Sequence, residues 1–203
     1  MANFVHLCFG TFIKPGATFR YLAQYRHWKY AWGVVWIYLG LYTLLNIYRM
    51  VNDLQPTLPP LLATTAGRYY TWQLLAGLPV IIVGWWLYAL AAWLAGQRLG
   101  GSGTLKGMAH STAFSFFLPL IPTVWLLEIA LTLLAPRPWN SALPLPAPWD
   151  SLFWIVTFLG IGWSLLTGTL AAREVLALRG WKAFLATLAG SGMALGLFTV
   201  FLR

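Results

Sequence analysis

Twenty-two consecutive residues, Leu74 to Ala95 (LLAGLPVIIVGWWLYALAAWLA), contain no charged side chain. As a helix that run rises about 33 Å, enough to cross a bilayer core of about 30 Å. It lies too deep in the chain for a secretory signal, and it is too long and apolar for an ordinary soluble helix. Its length and apolarity require that the rest of the chain supply elements able to stand beside it in lipid. Composition agrees. Hydrophobic residues make up 60% of the 203 and charged residues 8%, against about 25% charge in a soluble domain. Mean hydropathy is +0.70. The expected fold is all-α: a polytopic membrane protein of five transmembrane helices preceded by a short N-terminal interfacial helix.

The spans are expected at 30–47, 72–95, 111–134, 152–172 and 183–202, forming one domain over 30–203. Residues 1–29 mix Phe9, Phe12, Phe19, Tyr21 and Tyr25 with Lys14, Arg20, Arg26 and Lys29. Pro15 suits the first turn of a helix reaching about Arg26. Such an aromatic and basic segment is expected to lie in the interface, with Phe19 and Leu22 on one side and the four basic side chains on lipid headgroups. After the second span, Gly96 to Gly103 reads as a flexible turn. Pro119 and Pro122 fall inside the third span, and a kink or break is expected between Phe116 and Pro122. The linkers 48–71 and 135–150 are proline-rich and edged by aromatic residues suited to the membrane boundary.

The net charge of +9 is dispersed between apolar runs, so it reads as a topology signal rather than a nucleic-acid face. Lys14, Arg20, Arg26, Lys29, Arg98, Lys106, Arg173, Arg179 and Lys182 fall on one side of a five-span layout; Arg49, Arg68, Arg137 and Arg203 fall on the other. The richer side is expected in the cytoplasm, which puts the N-terminus inside and the C-terminus opposite.

Candidates for chemistry are few. Glu128 is the one acid inside a span, a position that is costly and marks a functional hypothesis or a carboxyl tying helices together. His110, at the mouth of the third span, could ligate a pigment or haem in a larger complex, or serve as a polar cap. No metal-ligand spacing, nucleophile motif or phosphate loop occurs, and the lone Cys8 excludes an intrachain disulfide. No catalytic residue, metal or cofactor is therefore expected. Small residues four apart, Gly168 with Ala172, Ala186 with Gly190 and Gly192 with Gly196, predict close packing of spans four and five as a hairpin.

Three stretches taken in order resemble the Yip1 domain family of five-span membrane proteins in its short bacterial form: Lys14-Pro15 with Thr18-Phe19; Gly100-Gly101-Ser102-Gly103-Thr104-Leu105-Lys106 running toward Pro119; and Trp163 followed by Arg179-Gly180-Trp181-Lys182-Ala183. The resemblance implies the five-span fold and carries over no catalytic residue. The family's eukaryotic members act in vesicle trafficking and bind small GTPases partly through a long N-terminal region; fewer than thirty residues precede the first span here. The expected role is non-enzymatic: membrane organisation or scaffolding of other membrane proteins, with lipids and membrane proteins as partners. The alternatives are an accessory subunit of a respiratory or photosynthetic complex, which could contact pigment or haem, and a small transporter using Glu128.

Overall fold

A computed structural model describes residues 3–25, 27–53, 66–134 and 149–201. All of them lie in helices or in the short links between helices. Five helices are long and apolar enough to cross a membrane, and they are preceded by two short ones. We number them α1 (Phe4–Ile13), α2 (Pro15–Gln24), α3 (Trp28–Val51), α4 (Ala66–Arg98), α5 (105–134), α6 (Trp149–Leu176) and α7 (Trp181–Phe201). The fold is an all-α membrane bundle. Arg26 and most of both proline-rich linkers lie outside the described residues.

The N-terminal region differs from the single interfacial helix expected. Asn3 caps an additional helix, α1, by accepting the His6 amide at 2.8 Å, which satisfies one of the donors a helix start leaves open. Lys14 breaks the run and Pro15 restarts it as α2. Phe19 and Leu22 do not face lipid; they are fully buried, because α2 packs along α6 and the start of α5.

The spans run in alternating directions. One end of the bundle, the basic end, gathers α2, the start of α3, the end of α4, the start of α5 and the α6–α7 link. There the His27 amide donates to His110 Nε2 at 3.1 Å and Lys182 Nζ donates to the Leu99 carbonyl at 3.1 Å. At the opposite end Tyr42 of α3 donates to the Gln73 carbonyl of α4 at 3.3 Å, and Gln73 donates to the Phe201 carbonyl of α7 at 3.4 Å. The partner of α7 differs in emphasis from the hairpin expected. Spans four and five do pack, but α7 lies most extensively along α4. Small residues say that a helix face is approached closely, not by which neighbour.

The third span is helical throughout, with its prolines absorbed at two π-helical turns, Ala113–Phe117 and Ile121–Leu126. Widening the helix by one residue per turn is a common way to accommodate a missing amide. Pro119 has no N–H for the carbonyl four residues back, that of Ser115. Thr167 Oγ1 of α6 reaches it instead, at 2.7 Å, sharing its proton with the Trp163 carbonyl at the same distance, and Ser164 Oγ reaches the Phe116 carbonyl at 3.4 Å. In lipid, irregular backbone persists only where neighbouring helices satisfy it in this way. α5 is accordingly the most enclosed of the five spans.

Candidate functional site

Among the described residues, polar groups gather at each end of the bundle, with the hydroxyls of Ser164 and Thr167 between them. At the opposite end, Glu128 of α5 forms an ion pair with Arg49 of α3, and both side chains are 13% exposed. Glu128 was the span acid singled out by sequence, and its partner was not foreseen. Arg49 sits in the last turn of α3, at the same level as Glu128 late in α5, because the two helices run in the same direction from the basic end. An ion pair desolvated to this degree is held by mutual attraction, and the loss of either partner leaves a charge stranded. Beside it, the Tyr42 hydroxyl bonds Gln73 Oε1, Asn46 Nδ2 donates to the Tyr42 carbonyl at 2.9 Å, and Tyr38 and Tyr42 stand edge-on to Trp125. Buried Asn46 and Gln73 were legible as polar residues in apolar runs, but only the fold brings Gln73 to Tyr42.

At the basic end, His110 is fully buried. Its Nε2 accepts the His27 amide, and its ring stands edge-on to Trp28 at 5.7 Å and beside Phe114. This holds the start of α3 against α5, with His27 in turn 3.3 Å from the Tyr21 hydroxyl. Trp85 Nε1 donates to the Ala109 carbonyl at 2.7 Å. Nε2 of His110 is thus turned to backbone.

Around this core lies the basic rim. Lys14 and Lys29 are exposed, and Lys29 Nζ stands 5.2 Å over the Tyr30 ring. Arg20, 66% exposed, pairs with Glu174 at 3.5 Å, and Arg173 joins the same carboxylate at 3.0 Å. Exposed pairs of this kind contribute little stability. A shallow open depression lies on the same rim, lined by Leu99, Gly100, Arg179, Trp181 and Lys182.

The glycine-rich link 100–104 departs from the flexible turn expected. Arg98 ends α4, so Gly96 to Arg98 remain helical. The link then docks on the last turn of α6: the Ser102 amide donates to the Leu176 carbonyl at 3.0 Å. A Cβ on Gly103 would lie 2.0 Å from the Val175 carbonyl oxygen. Trp93 and Gln97 both donate to the Gly103 carbonyl at 3.0 Å. The glycines serve close contact, with Gly100 alone using a left-handed φ of 91°.

Of the small residues, Ala172 and Ala186 are fully buried. Gly168 meets Thr187 and Tyr88, and Gly190 meets the ring and backbone of Tyr88. Gly192 and Gly196 are exposed with no atom within 4 Å of a would-be Cβ, so that pair forms no seam within the chain. Among the described residues no three of His, Cys, Asp or Glu stand close enough to hold a metal ion.

An all-α bundle with five membrane-length helices, its polar side chains turned inward to join them, is an integral membrane protein of the multi-pass class. The chain belongs to the Yip1 domain family, whose sequence pattern matches residues 9–202. No curated protein and no solved structure matches the chain.

Proposed function

We propose that the chain is a non-enzymatic protein of a bacterial inner membrane that organises the bilayer or scaffolds other membrane proteins. The observation that carries this reading is how the side chains are divided. Polar groups inside the spans are used to join helices, as Glu128 joins Arg49 and Thr167 joins Ser115. The outward faces remain broadly apolar. On α6, Leu152, Ile155, Leu159 and Leu166, with Trp154 and Phe158, form a long exposed strip that only lipid or another apolar helix can cover. The ion pair also supports reading Glu128 as a helix-joining group rather than a transport group.

The basic rim carries Lys14, Arg20, Lys29, Arg98, Lys106, Arg173, Arg179 and Lys182, whereas Arg49 and Arg68 mark the other end. By the positive-inside bias the rim faces the cytoplasm, with residues 1–29 on that side, the four N-terminal basic residues near headgroups, and the C-terminus across the membrane. A photocrosslinking residue in place of Phe158, irradiated in native membranes, tests the scaffold role. Discrete protein adducts at this site, absent with the photocrosslinker at a buried position such as Phe117, are expected. Adducts to lipid alone would contradict scaffolding through α6.

A further inference from the structure

Helix α1 presents two faces. Leu7 and Thr11 are buried against the bundle, while Val5, Phe9 and Ile13 are 57, 64 and 71% exposed. Spaced four apart, these three form one stripe along the helix, with exposed His6 at its edge. Three large apolar side chains on ten residues would be a poor surface in water.

The position of α1 says what covers them. Phe4 packs against Tyr30, at 5.7 Å between rings, and beside Gly33, so α1 lies along the first turns of a membrane span. It also contacts the π-helical turn Ala113–Phe117 of α5. That turn begins three residues and ends seven residues past His110, which is on the order of 5–10 Å below the basic rim at helical rise. Amphipathic helices lying in a bilayer interface bury their apolar face to the same depth, about 5–10 Å. The outward face of α3 beyond that contact is apolar too, with Trp36, Ile37 and Leu44 exposed. Lys14, at the end of α1, and Arg20, on α2, are exposed.

We propose that α1 is a lipid-inserted helix, with Val5, Phe9 and Ile13 seated among the acyl chains of the leaflet at the basic end and Lys14 and Arg20 on anionic headgroups. At about 15 Å long it cannot cross the bilayer, so it adds cross-section to one leaflet alone. This deepens the membrane-organising reading by naming lipid as the occupant of this face.

The test uses the full-length chain carrying Cys8→Ser and Phe9→Cys, labelled with a small environment-sensitive fluorophore and reconstituted in liposomes of phosphatidylglycerol and phosphatidylcholine. Acyl chains brominated near the middle of the tail should remove much of the emission, as expected for a face buried in the acyl boundary, while aqueous iodide should have little effect. Quenching by iodide and not by bromolipid would place the stripe in water and overturn the proposal. Quenching by neither would show protein covering it, and would overturn the proposal equally. A control label at Leu44→Cys on α3, with Cys8→Ser retained, reports whether the bundle has inserted. Lipid contact is read here independently of the α6 crosslinks, so either reading can fail while the other stands.

Discussion

Thr167 Oγ1 donates at 2.7 Å to the carbonyl of Ser115, the group for which Pro119 has no amide. A hydroxyl on one span thus closes the defect that a proline opens in its neighbour. Replacing Thr167 with valine keeps the shape and removes the donor. We expect a loss of about 1 kcal/mol, the usual size for a hydrogen bond between membrane helices, seen as a lowered Tm in mild detergent. Thr167→Ser should retain most of the stability. If the link to Pro119 is the reason, Pro119→Ala should shrink the effect of Thr167→Val in a double-mutant cycle.

The Arg49–Glu128 pair makes a sharper case. Glu128→Gln leaves a guanidinium in a half-closed apolar setting, and a loss of roughly 3 kcal/mol is expected in equilibrium unfolding from detergent micelles. The double variant Arg49→Met with Glu128→Leu should recover much of it, because no charge is then stranded. Equal damage from the single and the double variant would show that Glu128 does something other than hold Arg49.

Gly103 and Gly196 test close packing against open space. Gly103→Ala places a methyl 2.0 Å from the Val175 carbonyl oxygen; backbone must move, at a cost of about 2–3 kcal/mol. Gly196→Ala meets nothing within 4 Å and should be neutral or slightly stabilising, since alanine favours the helix. Paired thermal melts of the two variants give the contrast directly.

Cys8 faces partly inward from α1, and burial pushes its thiol up to about 11. The thiolate is the reactive form, so at pH 7.5 alkylation should be much slower than for a free cysteine. The rate should climb as pH rises toward 11 and the thiol ionises. Fast labelling at neutral pH would mean that α1 does not rest on the bundle as described.

How far the sequence alone reached depends on whether the signal was local. Five apolar runs were readable as spans because crossing lipid is a demand on each helix separately, as the run ending at Ala95 illustrates. Pro119 and Pro122 announced a disturbed third span, but whether it would break or widen depended on Thr167 and Ser164, forty-odd residues away. Glu128 was conspicuous, while Arg49 passed for a boundary marker, because only the parallel course of α3 and α5, side by side, brings them level. α1 was missed for a different reason. Its short apolar run after Asn3 could have been a leader, and only its contacts with Tyr30 and Gly33 separate a docked helix from an unstructured one. Gly192 and Gly196 show the converse: spacing suited to a seam, on a face with no neighbour within the chain.

The account rests on five helices threaded alternately through a bilayer. Single cysteines at position 3 and position 201, each in a Cys8→Ser background, would be probed in oriented membrane vesicles with an impermeant thiol reagent. The account predicts that residue 3 reacts from the cytoplasmic face and residue 201 from the opposite face. Both positions reacting from the same face would contradict it.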